Sequence, residues 1–200
     1  MEGSKYDGAR STNDIAKAIR ADIKAAMKKP ATDAWALPKR LKVSVRLAKF
    51  AGGCSINSRI TAFPGPLLNP ASVLWQRLFP NEPLRYSRLT KEAARVVAVL
   101  DALMSDYNYD RSDPQSDYFS VRFYGDAEVH YEYAAMRKLE LLASPELAAL
   151  LADLEVTVAC RDLETAKRTI ATLNEGYEDS PTERRELKAL LFPPASREAA

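Results

Sequence analysis

Histidine is nearly missing from this chain: His130 is the single one in 200 residues. A histidine-based nucleophilic triad or a multi-histidine metal centre would have to rest on that one side chain. Cysteine is almost as scarce. Cys54 and Cys160 stand far apart and lack metal-ligand spacing, which fits free thiols in a reducing compartment. No apolar run approaches the roughly 18 residues that a membrane span needs. The N-terminal stretch MEGSKYDGAR has no apolar segment of the secretory type. Gly52-Gly53 follows a strand pattern but leads into another strand, so it is not a phosphate loop. The same pair, in GGCS, lacks the strand-turn-helix setting of a nucleophile elbow. Net charge is also nearly absent, +2 from 29 basic and 27 acidic residues, so an electrostatic case must rest on local patches. There is no internal repeat. These absences point to a cytoplasmic protein without a membrane, metal or cofactor requirement and without a catalytic signature.

What is present is a globular composition, 46% hydrophobic and 28% charged, in a chain long enough to bury a core. Ile15, Ile19, Ile23 and Met27 recur every four residues behind Ser11 and Thr12, predicting a helix over 12–29 that Pro30 stops. Lys17, Arg20, Lys24 and Lys28 form a second, basic stripe whose bland reading is a solvated face. Alternation in RLKVSVRLAKF and CSINSRITA predicts a hairpin over 41–62 turning at Gly52-Gly53. That turn pairs Val45 with Ile60 and sets Arg46 opposite Arg59. Asn69-Pro70 predicts a short helix through Trp75 and Phe79. Thr90 caps a helix over 91–107 whose buried face is Ala93, Val96, Val97, Leu100, Leu103, Met104 and Tyr107. Residues 117–124 alternate as a third strand. Helical patterns fill most of the remainder, with EVTVAC as a short strand and with polar termini taken as loose. The expectation is an α+β fold: a small antiparallel sheet, hairpin 41–62 plus strand 117–124, packed by helices 12–29 and 91–107. A binding domain over 1–130 precedes a helical subdomain over 131–200.

The stretch YNYDRSDPQSDYFSVRFYG, residues 107–125, concentrates tyrosine, aspartate and arginine. Asp110, Ser112, Asp113 and Asp117 offer oxygen ligands, but counting an EF-hand from Asp110 puts Gln115 at the glycine position and Val121 at the glutamate position. Asp113-Pro114 instead favours a turn. Asp113 and Asp117 could serve acid–base chemistry, as pairs in any protein can; His130 reads as structural. On the sheet, Lys42, Arg46, Arg59 and Arg122 would share a face with Tyr118 and Tyr124, the pairing of cations and rings that takes single-stranded nucleic acid. Tyr109 and Arg111 of the same stretch complete the candidate binding residues. Tyr107, Tyr109, Tyr118, Tyr124, Tyr131 and Tyr133 cannot all be core, and tyrosine and arginine together also mark protein interfaces.

The segments KVSVRLAKFAGGCSI, LTKEAARVVAVLDAL and YNYDRSDPQSDYFSVRFYG resemble, over residues 12–130, a large polyvalent protein-associated domain of actinobacterial phages and mobile elements. The resemblance implies a protein that helps an invading element meet host defences in the host cytoplasm, and it carries over no catalytic residue. Two functions are therefore expected, in order: a non-enzymatic binder of a host protein, and a single-stranded nucleic-acid binder using the basic and aromatic sheet face; the expected binding residues are Arg46, Arg59, Tyr118, Arg122, Tyr124, Tyr109 and Arg111. A nucleic-acid-processing enzyme using the 110–117 acidic loop ranks third.

Overall fold

Ser11 opens the first helix as its sequence predicts: its hydroxyl accepts from the Asp14 N–H at 3.2 Å. The computed structural model describes residues 2–112, 115, 120–177 and 181–191. Among these the order is α1 (Thr12–Ala26), β1 (Lys42–Phe50), β2 (Gly53–Ala62), α2 (Pro70–Leu78), α3 (Lys91–Ser105), β3 (Ala127–Val129), α4 (Tyr131–Leu142), α5 (Pro145–Ala159), α6 (Leu163–Asn174) and α7 (Pro181–Leu191). The fold is α+β. Two units divide the chain. One takes residues up to Pro64, Arg95–His130 and the end of α7; the other takes Gly65–Ala94 and Tyr131–Glu183. Residues 65–94, expected with the first domain, group with the second half.

In the first unit, α1 buries Ile15, Ala16, Ile19, Ile23 and Ala26 and packs on β1. It ends three residues earlier than expected. The Met27 N–H bonds to Ile23 O at 3.1 Å and the returning Leu37 N–H takes Ala26 O at 3.1 Å, so the helix is closed before Pro30 can act. The N-terminal residues, expected to be loose, are tied down. The Gly3 and Lys5 N–H groups bond to Asn108 O and Asp106 O, and Lys5 Nζ reaches Asp22 at 2.6 Å.

The sheet runs β1-β2-β3 and is mixed, not antiparallel throughout. β1 and β2 form the expected hairpin, but two residues out of the expected register. Phe50 pairs with Gly53, so the turn is Ala51-Gly52, with Gly52 at φ 95°. Val45 therefore faces Ser58, Arg46 faces Asn57, and Arg59 faces Ser44. The Arg46–Arg59 opposition does not form. A slip of two keeps every side chain on its face, so the alternation cannot detect it. The third strand is β3, parallel to β2 through Ser58↔Ala127 and Ile60↔Val129. Parallel pairing needs a long crossover, and the segment holding α2 and α3 supplies it. Of the strand expected at 117–124, residues 117–119 lie outside the described residues. Val121 bridges Asp110 antiparallel, and Tyr124 bridges Ser55 parallel.

Along α3, Ala93, Val96, Val99, Leu100, Ala102, Leu103 and Met104 are buried, whereas Val97, expected in that set, is half-buried. The second unit has its own core: Ala71, Leu74, Trp75 and Phe79 of α2 with Tyr86, Leu147, Leu154, Ala166 and Ile170. Asn69 caps α2 by accepting from the Ala71 N–H at 3.0 Å, with Pro70 in the first turn. EVTVAC is not a strand. Residues 155–159 continue α5, where Thr157 Oγ1 bonds back to Asp153 O at 2.9 Å, and Arg161 ends the run at φ 63°. The helix-forming residues before it outweigh the β-branched ones.

Candidate functional site

The stretch that opens with Tyr107 is held by one amide. Asn108 Oδ1 accepts from the N–H groups of Tyr109, Arg122 and Phe123 at 3.0, 3.0 and 3.2 Å, and Nδ2 donates to Phe123 O at 3.0 Å. The Arg111 N–H adds a bond to Ser120 O. Beyond this clasp the chain joins β2. The Tyr124 N–H takes Cys54 O, and Tyr124 O accepts from the Ile56 N–H. Gly125, at φ 143°, lies where a side chain would collide with the Ile56 carbonyl and Asn57 Oδ1. Only glycine fits there.

Most of the expected site residues are engaged within the chain. Arg59 Nε bonds to Glu128 Oε1 at 2.7 Å across the β2–β3 pairing. Arg111 pairs with Glu2 and stacks over Tyr109, whose ring meets Tyr6 edge-on at 5.1 Å. Arg122 Nη2 donates to Arg10 O at 2.5 Å. Tyr118 lies outside the described residues, as do Asp113 and Asp117 of the acidic loop. Asp110 accepts from the Ser112 N–H, and its bonds with Ser112 hold its carboxyl below the usual range. Among the described residues no group of three His, Cys, Asp or Glu side chains is placed to hold a metal. The His130 N–H closes the sheet by bonding to Ile60 O at 2.9 Å.

Two of the expected residues stay open. Arg46 is exposed, and Tyr124 is 43% exposed beside Phe50, which is 51% exposed. Their rings lie 6.0 Å apart at the hairpin tip. Gly53 lies close under both rings: an added Cβ would sit 3.3 Å from the Tyr124 ring and 3.4 Å from that of Phe50, so the exposed rings would have to shift slightly to admit it.

Two half-buried acids brace this unit. Asp101 Oδ1 accepts from the Ala127 N–H at 2.6 Å and fixes β3 to α3. Burial pushes its carboxyl above the ordinary range, and Asp126 adds to the effect. Asp22 accepts from the Tyr107 hydroxyl at 2.7 Å; burial and that bond hold the phenol well above its usual value.

The second unit holds a surface of which the sequence points only to Tyr131. No residue of α4 is fully buried. Tyr131 is 73% exposed, Leu139 70% and Met136 47%. With the exposed Ala135 they recur at helical spacing on one outer face. The spacing 131-135-139 was visible in the sequence, but an amphipathic helix ordinarily turns such a stripe inward.

No family model matches this chain, and no curated protein or solved structure is significantly similar to it. No helix among the described residues is long and apolar enough to cross a membrane.

Proposed function

We propose that the chain is a non-enzymatic binding protein that grips a host protein, with the outer face of α4 as its anchor. The observation that carries this reading is the apolar row Tyr131, Ala135, Met136 and Leu139, left uncovered on a helix with no fully buried residue. Contiguous exposed apolar surface of this kind marks partner sites, and tyrosine and methionine are enriched in them. Glu132 and Glu140, also exposed, supply the polar rim. The open Phe50–Tyr124 pair offers a second aromatic contact. The phage or mobile-element origin rests on the sequence resemblance over residues 12–130.

The test is capture from nuclease-treated host lysate on immobilised protein, wild type against Leu139→Asp and Tyr131→Ala. A defined host protein should be retained by the wild type and lost from both variants, whose circular dichroism should match the wild type. Equal retention by all three would refute the α4 assignment. Self-association in sedimentation, abolished by the same changes, would replace the host partner with a second copy of the chain.

A further inference from the structure

The near-zero net charge hides a strong local imbalance. Residues 20–49 carry nine lysine or arginine side chains and two aspartates. Both aspartates are already committed, Asp22 to Lys5 and Tyr107, Asp33 to Lys29 at 2.8 Å. Lys24, Lys28, Lys39, Arg40, Lys42 and Arg46 are all exposed and carry no ion pair among the described residues. The fold gathers three of them. Lys24, in the last turn of α1, and Lys28, in the turn that follows it, line with Lys39 a shallow depression of about 530 Å³ that also includes the half-buried Met27. Arg20 lies one turn earlier on the same stripe and donates to Val45 O at 2.6 Å, which places the row at the sheet's edge strand.

We propose that this basic depression binds the phosphate backbone of a nucleic acid, a function separate from the α4 surface and independent of it. Arg20 and Lys24 stand one turn apart on α1, about 6 Å along the helix axis, and Lys28 follows in the turn after Ala26. Such a row is suited to successive phosphates of a strand. Lysine acts there as a point charge and needs no fixed planar geometry. An acidic protein or an anionic bilayer would also attract this charge, but each is normally held by apolar anchors as well. Residues 20–49 expose no large hydrophobic side chain. Backbone contact alone gives sequence-independent binding that weakens steeply with salt.

The test is a titration of the full chain against a labelled oligothymidylate by fluorescence anisotropy at about 50 and about 200 mM salt. If Lys24, Lys28, Lys39, Arg40 and Lys42 each neutralise one phosphate, that salt step should weaken wild-type binding about 100-fold. Lys24→Gln/Lys28→Gln/Lys39→Gln should reduce the step to about 7-fold and weaken binding at low salt. A charge-matched control in the other unit, Arg77→Gln/Lys138→Gln/Arg168→Gln, should keep the wild-type salt dependence. No binding at low salt, or a salt step equal in all three proteins, overturns the proposal. Lys24 and Lys28 also face the negative end of α1. If the triple change lowers thermal stability and leaves the titration untouched, their role is to offset that dipole and the proposal fails. Polyglutamate or phosphatidylserine vesicles that displace the oligonucleotide at equal charge would assign the site to an acidic protein or a membrane instead.

Discussion

Removing the Asn108 side chain should loosen the hold on Tyr109, Arg122 and Phe123. Four hydrogen bonds end on this amide, three accepted and one donated. A net value of about 1 kcal/mol per bond gives an upper limit of about 4 kcal/mol. Asn108 is half-buried, so water can replace part of what is lost, and about 2–3 kcal/mol is expected for Asn108→Ala. Asn108→Asp separates the two halves of the clasp. Its carboxylate still accepts from Tyr109, Arg122 and Phe123, and the charge strengthens those bonds. The donor to Phe123 O is gone, and two oxygens then face each other. The expected cost is smaller, about 1–2 kcal/mol. Urea unfolding followed by tryptophan emission suits the measurement, because Trp35 belongs to the unit of Asn108 and Trp75 to the other. A loss below about 1 kcal/mol for the alanine variant would show that the loop is held by something else. An aspartate variant as damaged as the alanine one would place the weight on the single donated bond.

Leu100 is fully buried in α3, and Leu100→Ala should cost about 2–5 kcal/mol in the same unfolding experiment; a loss under about 1 kcal/mol would mean that this side of α3 is not packed. Ser58 Oγ is buried without a hydrogen-bond partner on the core face of β2, so Ser58→Ala should be neutral or stabilising in thermal melts. Asp101 has a folded-state pKa raised by burial, so the native state holds its proton more tightly and loses stability as pH rises from the ordinary aspartate value through the raised one. Asp101→Asn should therefore be more stable than wild type at neutral pH, with the advantage vanishing at about pH 3, where both unfolded and folded aspartate are protonated.

The elements read most easily from the sequence were those with a local cause. Ser11, Asn69 and Thr90 each cap the helix they precede, and Ile15, Ile19 and Ile23 of the expected stripe are buried, whereas Met27 lies past the helix end and is half-buried. Strand pairing was harder, because its determinants lie outside the strands. The hairpin register depends on which two residues turn. Gly52 takes the positive φ in the turn, while Gly53 sits in the strand, close beneath the Phe50 and Tyr124 rings. β3 has three residues, too few for an alternating pattern, and its partner and direction are set by Gly125 and Asp101. EVTVAC has strand composition, but it continues a helix already under way.

The charged residues separate in the same way, by how far away their partners are. Arg59 meets Glu128 from 69 residues along the chain, Arg111 meets Glu2 from 109, and Arg122 meets the Arg10 carbonyl from 112. None of those partners is visible near the arginine in sequence, so three cations that looked available on one face are in fact structural. The lysines at 24, 28 and 39 pass both tests. Their own segment holds two acids, both already paired, and the fold brings them no other carboxylate among the described residues. Leaving several like charges together on one surface costs self-repulsion that a single carboxylate would relieve. A bound polyanion would supply that relief from outside the chain. The salt dependence of binding therefore tests more directly than composition whether the unpaired row at the end of α1 carries a function.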